Sequence, residues 1–224
     1  MRIARWKSIN LLAKMMQNKT VRELLHKKNP FDGYVPTYDD MQGWASTSEA
    51  FSYVIDTFQP KLIVEVGTWK GASAIHMANL CKEKYRSNDF EIVCVDTFLG
   101  SVEHWTQNQE LMYQTHGRPD LYNVFMSNVV KHNHTDVIVP FPVDSQNGWL
   151  TFHQLGIQAD MVYIDAGHDF ESVSKDIRGY SSILKSGGVM LGDDVLWFSG
   201  VKAACDSVLT NWSYLHDKFF WVKP

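Results

Sequence analysis

Cysteine is scarce. Cys81, Cys94 and Cys205 are the only three, and no two of them have C-x-x-C spacing. A disulfide framework is therefore not expected; buried thiols in a reducing, cytoplasmic compartment are. No run of about 18 apolar residues occurs, so no segment is expected to span a membrane. Internal repeats and low-complexity linkers are lacking. So is G-x-G-x-x-G, the glycine pattern that leaves room for a pyrophosphate, and its absence disfavours a nicotinamide oxidoreductase. Acidic residues are nearly missing from the start of the chain. Residues 1–28 carry eight of the 21 Lys and Arg with only Glu23 opposing them, a charge of +7, while the remainder carries −11 to give the total of −4. A net acidic domain beyond the arm disfavours nucleic acid as a partner.

What is present suits one large domain with an appendage: 224 residues, 45% hydrophobic and 13% aromatic. In the arm, Ile3, Trp6, Ile9, Leu12, Ala13 and Met16 share a helical face, with Arg2, Arg5, Lys7 and Lys14 largely outside it. Such a helix is expected to lie on the domain, the alternative being a membrane surface or an anionic partner. Lys14 and Lys19 interrupt the apolar run and no small-residue cleavage site follows, which argues against a signal peptide. Thr20-Val-Arg-Glu23 has capping-box spacing and predicts a short helix ending at Asn29-Pro30. Residues 30–43 read as a loop, dividing the chain into a helical arm and loop, 1–43, and a domain, 44–224. Self-association through the aromatic-rich arm and loop is plausible on composition.

Within the domain, Ser46-Thr-Ser-Glu49 caps a helix that Pro60 closes. Apolar runs at 62–66, 91–95, 137–139, 161–164, 189–191 and 219–222 predict strands, with helical periodicity between most of them. Alternation of this kind means a doubly wound, Rossmann-like α/β sheet. Residues 160–194 form the most informative unit. Met161 to Ile164 ends in Asp165, a helical face follows (Val173, Ile177, Tyr180, Ile183, Leu184), and Val189 to Leu191 ends in Asp193 and Asp194. A parallel crossover places all three carboxylates on one rim. Neighbouring carboxylates resist joint ionisation, and a hard divalent cation such as Mg²⁺ is the usual compensation. Helix N-caps at Asp165 or Asp169 and a solvated loop at Asp193-Asp194 are the alternative.

Glu65-Val-Gly67-Thr-Trp-Lys-Gly71 closes the first strand, where such sheets bind ligands. Gly67 allows a tight turn and Gly71 a close approach by the helix. An acidic residue in the turn would repel phosphate; Glu65 suits an ammonium or sulfonium, and Asp96, ending strand two, suits ribose hydroxyls. Those are the features of S-adenosylmethionine.

From about residue 44 the chain resembles the class I S-adenosylmethionine-dependent methyltransferases. V-E-V-G-T-W-K-G-A-S is similar to their first motif, V-D-T-F-L-G-S to the second, and A-D-M-V-Y-I-D-A-G-H-D with G-G-V-M-L-G-D-D to later ones. Within the class it resembles bacterial methyltransferases of small molecules and sugars, metal-dependent macrolide sugar O-methyltransferases included. The resemblance implies a seven-stranded sheet with the last strand antiparallel. It implies a cofactor over strands one and two, held by Glu65, Gly67, Thr68, Trp69, Lys70, Gly71, Ser73, Asp96, Thr97 and Asp165, with Asp144 and Ser145 near the adenine. Lys70 is a candidate contact for the cofactor carboxylate. In metal-dependent relatives of this kind, D-x-x-H or D-x-x-K pairs a metal ligand with a base, as Asp165 and His168 do here; the catechol-type enzymes carry Asp-Asn where this chain has Asp193-Asp194.

The expected function is Mg²⁺-assisted O-methylation of a small polyhydroxy acceptor, a sugar or glycosylated metabolite. Asp165, Asp193 and Asp194 are its expected metal ligands and His168 its general base. His104, Trp105, His116, Trp197 and Phe198 are candidates for the acceptor pocket. The rivals are a metal-independent methyltransferase of the same fold and a non-catalytic cofactor-binding module docking through the basic arm.

Overall fold

The structure is a computed structural model describing residues 20–224; the amphipathic helix expected from Ile3 to Met16 lies outside the described residues. The strands are Leu62–Val66 (β1), Glu91–Val95 (β2), Ile138–Phe141 (β3), Ala159–Ile164 (β4), Leu184–Gly192 (β5), Ser213–Leu215 (β6) and Lys218–Val222 (β7). They form one seven-stranded sheet in the order β3-β2-β1-β4-β5-β7-β6. β1 to β5 pair in parallel, and β7 runs antiparallel to both β5 and β6. The sheet is thus the mixed, Rossmann-like one expected. The three-residue β6 has no sequence pattern of its own; it arises where His216, at φ 55°, turns the chain into β7.

Strand alternation sends side chains to two apolar layers. Ile63, Cys94, Met161, Tyr163 and Leu191 face one core, with residues of Glu49–Phe58 (α2), Ala72–Tyr85 (α3) and Leu121–Lys131 (α5). Val64, Val93, Val162 and Met190 face the other, with Ser145–Leu155 (α6), Phe170–Ile183 (α7) and Ser199–Val208 (α8). Burial on both faces is why these strands read as unbroken apolar runs. The order reverses between β1 and β4, so their carboxyl ends diverge and leave a crevice.

Two boundaries differ from expectation. Ser48 rather than Ser46 caps α2, accepting from the Ala50 amide. The first described helix, Val21–Leu25 (α1), has the expected reciprocal capping box but stops well short of Asn29. His26 leaves it to donate Nε2–H to the Pro140 carbonyl at 2.7 Å. Arg22 donates to the Thr135 carbonyl at 2.6 Å and the Ile138 carbonyl at 3.0 Å. Together they cover the outer edge of β3, where an unpaired strand would otherwise template aggregation, and Pro140 is tolerated there because an edge strand can lose an N–H. Residues 34–40 lie against α5: the Tyr34 hydroxyl donates to the Asn123 carbonyl at 2.8 Å and the Thr37 amide to Ser127 Oγ at 3.1 Å. Among the described residues no helix is long and apolar enough to cross a membrane.

Candidate active site

A cavity of about 660 Å³ opens over the carboxyl ends of β1, β2, β4 and β5. One wall is the turn after β1. Gly67 there has φ 84°, and a β-carbon on it would fall on the Asp165 carbonyl oxygen, so only glycine fits. The Gly67 amide donates to the Val95 carbonyl at 2.9 Å, and the Asp165 amide to the Val66 carbonyl at 2.8 Å, which ties the ends of β2, β1 and β4 together. Gly71, at φ 88°, would place a β-carbon 2.8 Å from Phe125, so it serves helix packing and does not face the cavity.

Asp96 organises this turn. Its Oδ2 accepts from the Thr68 amide at 2.9 Å and the Trp69 amide at 2.8 Å, and its Oδ1 from the Phe98 amide at 2.7 Å. It borders the cavity beside Thr68, Trp69, Ser73 and Thr97, and each carboxylate oxygen retains capacity for a ligand hydroxyl. Asp144 and Ser145 lie on the same side at the start of α6, where Asp144 caps the helix through the Asn147 amide at 2.9 Å. Ser145 gives its hydroxyl proton to buried Asp176.

Besides Gly71, two residues expected on the cofactor do not face the cavity. Glu65 stands in β1 on the core face, in register with Cys94 and Tyr163, and is fully buried. Its carboxylate accepts from the hydroxyls of Ser73 and, at 3.0 Å, Thr68. Lys70 is also fully buried: its ammonium lies 2.7 Å from Asp40 and 3.3 Å from Gln42 Oε1, so the loop before α2 takes it away from a cofactor carboxylate.

Burial pushes the Glu65 carboxyl up to about 7, from 4.5. A folded-state pKa raised above the unfolded one contributes stability that is complete below about pH 4.5 and is lost as pH climbs through about 7. Glu65→Gln keeps the neutral form at every pH. In urea unfolding, the variant should therefore gain on the parent between pH 5 and pH 8, by roughly 3 kcal/mol at most. Parallel pH dependences for the two proteins would rule this out.

The ends of β4 and β5 carry a further acidic group. Asp165 after β4, His168 three residues on, and Asp194 after β5 each offer one ligand atom, all within 4.8 Å of one another. His168 Nε2 lies 2.9 Å from Asp194 Oδ2, its ring stacks on Phe198 at 4.2 Å, and its Nδ1 is buried without a partner. The hydrogen bond to Asp194 holds the His168 pKa above its ordinary 6.5. Burial first, then Asp193 and Asp194, push the Asp165 carboxyl well above the usual carboxylate range. Asp194 itself is left-handed at φ 63°, and its carbonyl accepts the Trp197 and Phe198 amides at 3.0 and 2.9 Å. Strain of this kind in a non-glycine residue persists only where the surroundings over-determine it.

Asp193 was expected beside Asp194 as a metal ligand, and the structure turns it inward. Its Oδ2 meets buried Lys218 at 2.7 Å and the Tyr163 hydroxyl at 3.1 Å, and its Oδ1 accepts the Asp194 amide at 2.8 Å. The Tyr163 hydroxyl also reaches Asp165 Oδ2 at 3.0 Å, so Asp193 acts on the cluster from behind. Among the described residues, the third group that could hold an ion with Asp165 and Asp194 is His168.

The remaining wall is aromatic. Trp69 and His104 stack at 4.0 Å, with Trp44 5.9 Å from His104; His104 sits on the helix Val102–Gln107 (α4). Trp197 and Phe198 line the β5 side, whereas Trp105 and His116 do not reach the cavity. Glu103, on α4, also lines it: Oε1 is 3.7 Å from His168 Nδ1 and Oε2 accepts the Ser101 hydroxyl at 2.7 Å. Neither Glu103 nor Lys218 stands out in the sequence. A lysine in phase with core-facing strand residues was the one available signal for Lys218.

A family model described as a methyltransferase domain matches residues 64–195. No curated protein matches the sequence. Among solved structures, the O-methyltransferase from Bacillus cereus in complex with SAH is 15% identical over 94% of each chain, with a TM-score of 0.57. CalS11, a calicheamicin methyltransferase also described as TDP-rhamnose 3'-O-methyltransferase, is 18% identical over 96% of this chain and 91% of its own, TM-score 0.57. TomG from Streptomyces achromogenes, an O-methyltransferase of tomaymycin synthesis solved with SAM, is 12% identical over 92% of this chain and 100% of its own, TM-score 0.54. At these identities the likeness is one of fold.

Proposed function

The chain belongs to this methyltransferase family, and from that premise we propose that it is an S-adenosylmethionine-dependent O-methyltransferase, assisted by a divalent cation and acting on a sugar or other small polyhydroxy acceptor. One observation carries the reading. Asp165, His168 and Asp194 converge in the cavity that the Gly67–Asp96 turn also lines. Asp165 also fits a cation: its carboxyl is held above its ordinary range by burial beside two further carboxylates, and a positive ion would relieve that. Asp165 and Asp194 would hold the ion as oxygen ligands, as Mg²⁺ prefers, with His168 beside them. The sugar methyltransferase among the structural neighbours supports the acceptor class by analogy of fold alone.

When bound, S-adenosylmethionine supplies a methyl group on a sulfonium, open to in-line displacement by an oxygen, and the cation supplies a lowered hydroxyl pKa. This chain's residues do the rest. The Gly67 turn and Asp96 set the cofactor's depth. With Nε2–H donated to Asp194, His168 carries its lone pair on Nδ1 and takes the acceptor's proton there as the new O–C bond forms and the S–C bond breaks. Trp197 and Phe198 wall the β5 side of the acceptor's space.

Calorimetry tests the reading. S-adenosylhomocysteine should bind with NAD silent, and Mg²⁺ should give a separate heat that disappears in Asp194→Asn. Silence towards S-adenosylhomocysteine would sink the whole reading. A cation-independent enzyme of the same fold is the second reading, favoured by the direct 2.9 Å contact of His168 with Asp194. Turnover unaffected by EDTA would select it, whereas the cation reading expects turnover lost with EDTA and restored by Mg²⁺.

A further inference from the structure

Tyr163 and Asp165 stand two residues apart at the end of β4, so their side chains leave the same face of the sheet. The ladder continues that row sideways. Ile164 pairs with Gly192 of β5, and Gly192 with Phe219 of β7. One step past these pairs, Asp165, Asp193 and Lys218 lie side by side. Two carboxylates abreast on one face repel. Lys218 answers the charge of Asp193 at 2.7 Å from its Oδ2, and the Asp194 amide donates to its Oδ1 at 2.8 Å. Asp165 has no ion pair of its own: among the described residues its side chain accepts from the Tyr163 hydroxyl alone, at 3.0 Å to Oδ2.

That hydroxyl carries one proton and lies within reach of two carboxylates, the second being Asp193 Oδ2 at 3.1 Å. Asp193 is already supplied on both oxygens, so the proton belongs to Asp165. The ring that bears it is fully buried and packs edge-on against Phe51, with centroids 4.9 Å apart. A phenylalanine would pack there equally well, and a buried hydroxyl is costly without a partner. The hydroxyl thus serves the rim and not the core. Its bond ties Oδ2 of Asp165 to the sheet, so the carboxylate does not turn both oxygens to the cavity that it lines. Asp194 is restrained in the same way, its Oδ2 held by His168 Nε2 at 2.9 Å.

Resting on the cation reading above, we infer that Tyr163 is a positioning residue that makes Asp165 a one-oxygen ligand and thereby selects Mg²⁺ over Ca²⁺. Ca²⁺ is the larger ion, takes about six to eight oxygens in flexible geometry and accepts a carboxylate through both of its oxygens. Mg²⁺ is smaller, holds to near-octahedral geometry and keeps several waters. A carboxylate pinned at one oxygen therefore denies Ca²⁺ a ligand and takes nothing from Mg²⁺. Discrimination between two hard ions of equal charge then lies in a hydroxyl that touches neither.

The test needs no acceptor. Mg²⁺ and Ca²⁺ are titrated separately by calorimetry into the full chain saturated with S-adenosylhomocysteine. The parent should bind Mg²⁺ more tightly than Ca²⁺. Tyr163→Phe keeps the ring and removes the hydroxyl. It should weaken Mg²⁺ by about tenfold or more, the usual cost of removing the outer partner of a metal ligand, and leave Ca²⁺ at least as tight as in the parent. The ratio of the two affinities then moves towards Ca²⁺ by that factor or more. The heat with S-adenosylhomocysteine should stay at the parent value, because the Gly67 turn and Asp96 are untouched. A hydroxyl that merely supported the fold would weaken both ions alike, so equal losses, or no change in either, would overturn the inference. So would a parent that prefers Ca²⁺, a result read without any variant. In all three cases a Mg²⁺ heat in the parent leaves the cation reading standing. A parent that binds S-adenosylhomocysteine but neither ion would bring down the cation reading, and this inference with it.

Discussion

His168→Gln should lower kcat by about 10²- to 10⁴-fold, the usual contribution of a positioned general base, while leaving the affinity for S-adenosylhomocysteine essentially as it was. The two effects separate because the imidazole follows β4, whereas the turn proposed to hold the cofactor follows β1. His168 leans on Asp194 at 2.9 Å and on the Phe198 ring, whereas Gly67 follows β1, Asp96 follows β2 and Ser145 opens α6. The parent's rate should also fall on the acid side, because only neutral His168 can take a proton. Asp194 holds that pKa above 6.5, so the rate should climb as pH passes through a value above 6.5. In His168→Gln this limb should vanish. A variant that turns over within about a factor of ten of the parent and keeps the limb would assign the proton to another group. Loss of the Mg²⁺ heat together with turnover would recast His168 as a ligand of the ion, the role its place beside Asp165 and Asp194 also allows.

The reach of the sequence follows from which contacts are local. Strands buried on both faces announce themselves as apolar runs, and the residue ending each run is thereby assigned to the rim; this is how Asp96, Asp165 and Asp194 were legible. Which way a rim residue turns was not legible. Asp193 and Asp194 are adjacent, and a left-handed turn at Asp194, φ 63°, sends one to the cavity and the other back to Lys218. Lys70 was misplaced for a similar reason. Its partner Asp40 lies in a loop 30 residues earlier, and no periodicity links the two. Glu65 was read as the mouth of a turn although strand alternation already placed it with Ile63 on the core face; that signal was present and outweighed by the motif. Glu103 depended on a long-range approach of α4 to the β4 rim, which composition cannot encode.

Lys218→Met should cost about 3–5 kcal/mol of folding stability, the range for stranding a charge whose buried partner has been removed. The ammonium is fully buried, 2.7 Å from Asp193 and 2.8 Å from Asp217, and it also reaches the Ala45 carbonyl at 3.4 Å. Asp217 is partly open to water and can be resolvated. Asp193 is only 8% exposed and cannot. Nearly all of the loss should therefore come from Asp193, and the double variant Asp193→Asn with Lys218→Met should recover most of it in urea unfolding. The consequence reaches the cavity. With Lys218 gone, Asp193 keeps the Tyr163 hydroxyl as its one side-chain donor, and that same hydroxyl bonds Asp165. A bare Asp193 would compete with Asp165 for it and add unscreened negative charge behind the cluster. Divalent-cation binding should then tighten in Lys218→Met even as the fold weakens, so that Mg²⁺ raises its melting temperature more than the parent's. A loss below about 1 kcal/mol, typical of an exposed pair, would mean that Asp193 finds water on the cavity side. A double variant no more stable than Lys218→Met alone would mean that the lysine's packing against Phe51 and Tyr163, and not its charge, holds β7 to the sheet.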